Sequence, residues 1–246
     1  MKLTCKNCNH IYTGHYCNDC GQTSQTHRLN LHFLWHEIRH SLFQFDEGIL
    51  YSGQQLFIRP GHTIREFIEG KRVKHFKPFS LVILLASLYG LLYHYFHISF
   101  IVPSSDSASE NGIDLAKFNE WTGTHYAWVT LMMIPLYTIG TGIAFRKQGY
   151  NIVEYLILNT FKASQKLFVH IALFPLLYYF NGTPKMSVLS LILYLIDIVF
   201  IYWSNAQFFN KLSLKKSLLL TLFSQLIFLS CLISIILVVD LIIKYL

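Results

Sequence analysis

Long apolar runs beyond Phe79, separated by short polar loops, restrict this chain to few folds. A helix that crosses the hydrocarbon core of a bilayer needs about 20 predominantly apolar residues. Only 13% of the residues are charged, against about 25% in typical soluble domains. The sequence therefore predicts an all-α integral membrane bundle of about five transmembrane helices: Phe79–Val102, Tyr126–Phe145, Ser164–Phe180, Ser187–Phe209 and Leu218–Ile243.

The third predicted span is the least regular of the five. The apolar stretch before it, residues 151–161, contains Glu154 and is followed by Lys162, so we interpret it as an interfacial helix that leads into the span. Pro135 and Pro175 lie inside predicted spans, where a proline predicts a kink that neighbouring helices accommodate.

Composition divides the chain into a cysteine-rich module at residues 1–26, a juxtamembrane segment at 27–78 and the bundle at 79–246. No basic stretch followed by an apolar run, as in a signal peptide, stands before the first cysteines. We therefore expect the N-terminal module to stay in the cytoplasm, where disulfides are rare.

The distribution of Lys and Arg predicts the orientation, because cytoplasmic loops of membrane proteins carry an excess of both. With the N-terminus inside, segments 1–78, 146–166 and 204–217 hold 17 of the 20 Lys and Arg. Five spans then leave the C-terminus outside. The net charge of +7 is explained by this topology signal, so we do not expect a nucleic-acid partner.

Four cysteines predict one metal site in the N-terminal module. Cys5 and Cys8 form one C-x-x-C knuckle, and Cys17 and Cys20 form a second. Two such knuckles are typical of a zinc ribbon, in which four thiolates hold one tetrahedral Zn²⁺ in a closed, structural site. The alternatives are an iron site and a redox-active cysteine pair, although the latter lacks the surrounding βαβ pattern. We interpret Cys231, inside the fifth span, as a packing residue.

The first part of the juxtamembrane segment has helical periodicity. Its apolar residues recur at three- and four-residue steps, which fits a helix on the inner leaflet as well as one packed on the bundle: Leu31, Leu34, Trp35, Ile38, Leu42 and Phe45. His32, His36 and His40 share one stripe of this helix. Positions i and i+8 lie about 12 Å apart along a helix axis, so we expect packed or interfacial histidines rather than one metal site.

A turn at Arg59–Gly61, a short helix at Thr63–Glu69 and Gly70 as its end are predicted next. A cluster of basic residues follows immediately before the membrane, and we call it the basic collar: Lys71, Arg72, Lys74, His75 and Lys77. Basic residues beside an inner leaflet pair with anionic headgroups. We therefore expect Lys71, Arg72, Lys74 and Lys77 to contact anionic lipid.

Three motifs carry a resemblance to a known family: 16–22 (YCNDCGQ), 59–72 (RPGHTIREFIEGKR) leading to 76–79 (FKPF), and 151–156 (NIVEYL). Together they resemble uncharacterised bacterial membrane proteins, mainly of the Bacteroidetes, that carry an N-terminal zinc ribbon. The resemblance covers most of the chain and implies this architecture and a location in the bacterial inner membrane, with no established activity. The chain departs from the family at Tyr155, where the pattern has a histidine.

Two ionisable residues lie deep in predicted spans. His170 and Asp197 are each about ten residues, or roughly 15 Å, from the short exterior loop at 181–186, so they can meet inside the bundle. Such a pair is either a proton relay or a structural contact between helices, and we expect the structural contact.

The sequence contains no HExxH, no GxSxG and no glycine-rich phosphate loop. We therefore expect no enzyme, and interpret the chain as a membrane anchor or adaptor whose ribbon binds a cytoplasmic protein partner. Two alternatives stay open: a transporter or channel for a proton or small solute that uses His170 and Asp197, and a lipid-modifying enzyme with histidines near the inner leaflet. The sequence leaves the oligomeric state open.

Overall fold

The computed structural model describes residues 2–24, 26, 28–31, 48–98 and 115–245. The described residues form a two-stranded sheet followed by helices: β1 Leu3–Thr4, β2 Ile11–Tyr12, α1 Gly48–Ile58, α2 Pro60–Glu69, α3 Pro78–Tyr95, α4 Leu115–Thr124, α5 Tyr126–Ala144, α6 Ile152–Ala172, α7 Phe174–Phe180, α8 Lys185–Phe208 and α9 Leu214–Tyr245. A single 3-10 turn, Arg146–Gln148, stands between α5 and α6. The protein is therefore a small N-terminal sheet module joined to a helical bundle.

Four helices of the described residues are long and apolar enough to cross a membrane: Pro78–Tyr95, Tyr126–Ala144, Lys185–Phe208 and the Leu214–Val238 part of α9. Each overlaps one of the predicted spans. Many of their apolar side chains face outward and are exposed, among them Leu91, Met132, Val199 and Leu226. An outward apolar surface of this kind fits lipid and not water.

The third predicted span differs from the structure. One helix, α6, runs through both the expected interfacial stretch and the first half of the expected span and ends at Ala172. After Leu173, α7 begins at Phe174 with Pro175 in its first turn. A proline is favoured in the first turn of a helix, so Pro175 begins a helix and does not kink one. By contrast, Pro135 lies inside the continuous helix α5.

Helix α6 is the central helix of the bundle. It packs against α3, α5 and α8, and 14 of its 21 residues are buried, so it forms the core. The expectation of a separate helix at residues 151–161 is wrong, because α6 runs without a break from Ile152 to Ala172. Burial of Glu154 is tolerated because its carboxylate caps the helix and pairs with Arg28.

Helices α1 and α2 form a hairpin at the end of the bundle where α3 begins. The turn expected at Arg59–Gly61 is wrong in detail, because α2 already starts at Pro60, where a proline is favoured. The predicted end is confirmed: Gly70 adopts a left-handed conformation with φ of 114°. The hairpin lies against the last turn of α8, where Arg65 donates hydrogen bonds of 2.9 Å to the carbonyls of Gln207 and Phe208.

The apolar helix predicted through Leu34, Trp35, Ile38, Leu42 and Phe45 lies outside the described residues, and so do His32, His36 and His40. These predictions stay predictions.

Candidate functional site

The four ribbon cysteines form one cluster whose sulfurs all lie within 4.8 Å of one another. The shortest pairs are Cys5 with Cys20 and Cys8 with Cys17, each with Sγ atoms 3.5 Å apart. Four sulfurs around a tetrahedral metal at bonds of about 2.3 Å stand about 3.8 Å apart. Four thiols gathered at these distances fit one metal ion.

The two knuckles share one hydrogen-bond pattern, which explains why this spacing gathers the cysteines. In the first knuckle Cys5 N–H donates to His10 O, and Asn9 N–H donates to Cys5 O, each at 2.9 Å. The second knuckle repeats both bonds twelve residues later, with Cys17, Gly21 and Gln22 in the same roles. Asn9 and Gly21 both have positive φ, 62° and 72°. This tight turn points both cysteines of a knuckle to one side, and positive φ there suits Asn and Gly.

The ribbon and the segment that follows it are attached to the helical part at two places. Arg28 forms a two-pronged ion pair with Glu154 at the start of α6, at 2.7 and 2.9 Å. On the other side, Gln22 Oε1 accepts a hydrogen bond of 3.2 Å from Arg72 N–H in the basic collar. Glu154 is almost fully buried, so this pair is better shielded from water than an exposed one.

The residues of the predicted lipid contact occupy different surroundings. Lys71 forms an ion pair of 3.3 Å with Glu66, and Arg72 donates to Phe67 O and lies over the Phe67 ring at 5.5 Å. Lys74 is exposed and Lys77 is half-buried. The four cations therefore differ in their exposure and in their contacts.

His170 and Asp197 meet inside the bundle. The Nε2 atom of His170 lies 3.2 Å from both carboxylate oxygens of Asp197, and both side chains are about nine-tenths buried. Lys166, which sequence analysis missed, places Nζ 3.0 Å from Asp197 Oδ2. The Tyr89 ring lies 5.7 Å from the His170 ring and closes the cluster on the side of α3. One acid is thus shared by two basic side chains, and we call these three residues, Lys166, His170 and Asp197, the Asp197 cluster.

A second polar group lies on the same helix nearer the α2 end of the bundle. The buried Lys162 donates to Asn159 Oδ1 at 3.0 Å and to Asn205 Oδ1 at 3.2 Å. Asn205 in turn donates to Thr221 Oγ1 at 3.1 Å. Thr141 and Asn159 extend the contacts to α5. Hydrogen bonds of this kind hold membrane helices together, and four helices, α5, α6, α8 and α9, meet here.

Lys162 and Lys166 also correct the charge count used for the topology. The sequence assigned both to a cytoplasmic loop, whereas they lie within α6, where Lys162 is buried and the half-exposed Lys166 pairs with Asp197. The missing signal was present in the spacing: Lys162, Lys166 and His170 stand four residues apart and share one stripe of a continuous helix. This common stripe is not apparent when residues 151–161 are taken as a separate helix.

Tyr155, where the resembling family has a histidine, has a structural contact. Its hydroxyl donates to Phe145 O at 2.6 Å and ties the start of α6 to the end of α5. Asn151 and Glu154 form a reciprocal cap of the same helix. Among the described contacts, the motif at 151–156 thus builds a helix start and not a metal site.

Comparison with known proteins adds one finding. Residues 46–90 match a family model described as a protein of unknown function, DUF3667. No curated protein and no solved structure matches the chain. The matched segment comprises α1, α2, the basic collar and most of α3. We call residues 46–90 the membrane-entry region, and the match shows that an uncharacterised domain family covers it.

Proposed function

We propose that the protein is a non-enzymatic membrane anchor whose ribbon recruits a cytoplasmic protein partner. One observation carries the proposal: the ribbon is held to the helical part by Gln22 and Arg28, yet exposes apolar side chains. Leu3, Ile11 and Tyr16 are 39%, 61% and 66% exposed. Tyrosine is enriched in binding hot spots, and exposed apolar patches mark interaction surfaces.

Replacing the exposed apolar residues tests the anchor without disturbing the metal site. The Ile11→Ser/Tyr16→Ser variant should lose a cross-linked partner that wild type retains in intact membranes. Val73→Ser is the matched control, because Val73 is also exposed and apolar but lies outside the ribbon, between Arg72 and Lys74 of the basic collar. If the same partner cross-links to all three proteins at equal yield, the ribbon surface is not its binding site.

The metal in this proposal is one structural Zn²⁺ bound by Cys5, Cys8, Cys17 and Cys20. Four thiolates from two knuckles are the ligand set that zinc ribbons use, and iron is the alternative. Metal analysis of purified protein by mass spectrometry decides between them. One zinc per chain is expected, and stoichiometric iron would contradict it.

The topology in this proposal is five crossings in a bacterial inner membrane, with the N-terminus in the cytoplasm. The third crossing in chain order is made by α6 and α7 together, and it adds to the four described helices that are long enough to cross by themselves. Support comes from contacts at both ends: α6 starts beside Phe145 at the end of α5, and Phe174 and Tyr178 of α7 lie 5.5 and 5.0 Å from the Phe96 ring, just after α3. Reporter fusions at the two termini should report opposite sides, whereas an even number of crossings gives the same side.

A second candidate function is transport of a proton or small cation through the bundle. The Asp197 cluster favours it, because ionisable groups deep in a membrane bundle are costly and typically mark ion pathways. In liposomes, Asp197→Asn should abolish flux, while helical content and thermal unfolding stay near wild type. Glu120→Gln, an exposed acid at the far end of the bundle, is the control. Wild-type flux in Asp197→Asn would exclude this function.

A further inference from the structure

A cavity of about 440 Å³ lies between the ribbon and the membrane-entry region. Its ribbon wall includes Asp19, and its other wall combines α1 and α2 with the basic collar. Small-molecule sites typically occupy roughly 300 to 1,000 Å³, so a headgroup-sized ligand fits. His75, one of the residues that line the cavity, stands three positions before Pro78, where the first apolar helix begins.

Charges of both signs line the cavity. Arg59, Lys71 and Lys74 contribute three cations, Glu66 and Asp19 contribute two acids, and Cys8 and Cys20 add negative charge when they bind a metal as thiolates. Among the described ion pairs, Lys74 alone of the three cations has no acidic partner. Glu66 is engaged by Arg59 at 3.4 Å and by Lys71 at 3.3 Å, so these contacts hold the two cations in place beside the cavity. Lys74 is exposed at its rim. Guanidinium and ammonium groups converging on one space are the usual ligands of phosphate.

His75 adds a polar group that the fold itself does not satisfy. Its side chain lines the cavity and is about nine-tenths buried, and its Nδ1 has no hydrogen-bond partner among the described residues. Buried polar atoms are nearly always paired in folded proteins, but Nδ1 is shielded from solvent and does not itself face the cavity. Tyr51, whose ring lies 5.4 Å from that of His75, supplies a hydroxyl in the same wall.

The residues matched by the family model include the wall of the cavity that faces the ribbon. All six lining residues outside the ribbon lie within residues 46–90: Tyr51, Arg59, Glu66, Lys71, Lys74 and His75. The Asp197 cluster and the Lys162 contacts lie outside the matched segment. The part of the chain that a domain family shares is therefore the part that builds the cavity.

We propose that this cavity binds the phosphate group of a ligand at the membrane surface, with Lys74 and Lys71 neutralising its charge and Arg59 positioned beside them. The inference goes beyond the anchor function and does not depend on it. It also differs from a general attraction of the basic collar to anionic lipid, because Arg72 and Lys77 do not line the cavity. A phospholipid headgroup and a soluble phosphate share this chemistry.

The rival explanation is that these cations neutralise the metal-bound thiolates, since Cys8 and Cys20 also line the cavity. The two explanations predict different effects of removing Lys74. If Lys74 binds phosphate, its loss weakens phosphate binding and leaves the metal in place. If it only balances the thiolates, its loss weakens metal retention and leaves phosphate binding unchanged.

The experiment uses the full-length, metal-loaded protein in nanodiscs of phosphatidylcholine. Binding of inorganic phosphate is measured by calorimetry in one arm, and retention of phosphatidic acid doped into the nanodiscs is measured by native mass spectrometry in the other. Lys74→Ala should weaken binding about tenfold in whichever arm binds wild type, the effect of losing one charge-assisted contact. Lys77→Ala, in the same collar but off the cavity, should stay within about twofold.

The outcomes separate the site from its rivals. Binding in the lipid arm alone identifies a headgroup as the source, and binding of inorganic phosphate identifies a soluble ligand. Equal losses in Lys74→Ala and Lys77→Ala would mean collar-wide attraction and would overturn the proposal. Absence of binding in both arms, or metal loss from Lys74→Ala with unchanged phosphate binding, would overturn it as well.

Discussion

At the scale of single residues, three buried charges of this protein each have specific partners. Glu154 is 3% exposed, and it caps its own helix while pairing with Arg28, 126 positions earlier in the chain. Asp197 is contacted by two basic side chains and Lys162 by two amide oxygens. A buried charge is tolerated only when such contacts replace its hydration. His75 differs from these three residues, because its Nδ1 has no hydrogen-bond partner in the described part of the chain.

We predict that His75 makes stability depend on pH. Burial lowers the pKa of His75 to about 4, against the opposing attraction of Glu66 and with a smaller contribution from Arg59 and Lys71. In the unfolded chain the imidazole takes up its proton near pH 6.5, whereas the folded protein resists protonation until about pH 4. The contribution is therefore complete above about pH 6.5 and is lost as pH falls from there to about 4, by about 3 kcal/mol in total.

Detergent-unfolding titrations at neutral pH and at two acidic pH values above 4 measure this effect. The control is His75→Gln, since metal loss at low pH affects both proteins alike. Wild type should lose more stability than the variant over this range. Parallel pH profiles would show that His75 titrates normally.

At the scale of elements, helix α6 decides how the bundle is organised. It carries polar groups on a stripe that meets α5 and α8, and apolar groups such as Leu158 and Phe161 pack on its other sides. The polar side chains of this stripe form hydrogen bonds and ion pairs with side chains of neighbouring helices. A helix with two lysines can therefore lie at the centre of an apolar bundle. Hydropathy by itself ranks this helix below its neighbours, which is why its boundaries were predicted poorly.

The contact between α2 and α8 is so close that we predict a glycine is required there. A Cβ added to Gly61 would overlap the backbone nitrogen of Phe208 and lie 2.6 Å from the carbonyl carbon of Gln207. Gly61→Ala should therefore separate the hairpin from the bundle and cost about 1 to 3 kcal/mol of stability. Thermal unfolding in detergent measures the loss.

Gly142→Ala is the matched control for this close contact. The nearest atoms to its added Cβ are Ile152 Cδ1 and Tyr155 Cδ2, both at 3.7 Å, which is ordinary contact. We expect its stability to stay within about 0.5 kcal/mol of wild type. Equal stability of both variants would mean that the hairpin does not pack tightly on α8.

At the scale of the whole molecule, two modules with different sources of stability are joined. The helical bundle has an extensive apolar core, whereas the ribbon core consists of Tyr12 and the four cysteines. A module of about twenty residues cannot bury enough apolar surface to fold by itself, so we expect a metal ion held by the four cysteines to supply its folding free energy. Polar contacts through Gln22 and Arg28 then hold the folded ribbon and its linker to the bundle.

Metal removal should consequently unfold the ribbon and spare the bundle. After chelation, or in Cys17→Ser/Cys20→Ser, we expect protease cleavage near Tyr12 while the helical circular-dichroism signal is retained. Cys231→Ser removes the fifth cysteine, which is far from the cluster in sequence and lies in α9, and should keep its metal. Loss of the helical signal on chelation would show that the bundle depends on the ribbon for its fold.

The sequence by itself determined the features that depend on nearby residues. Apolar runs predicted four helices that the structure contains, since a helix that faces lipid must be apolar along its own length. The four-cysteine cluster followed from local spacing, because each knuckle closes through hydrogen bonds within six residues. Gly70 was identified as a helix end for the same reason, as its left-handed conformation is a local requirement.

Only the tertiary structure decided which distant groups meet. Arg28 with Glu154, Lys166 with Asp197 and Lys162 with Asn205 are pairs from different segments, and no spacing rule connects them. The cavity also depends on how the ribbon docks, because its two walls come from segments more than thirty residues apart. A local sequence pattern reflects the environment of one segment. Contacts between distant segments depend instead on how the helices pack against one another in the folded bundle.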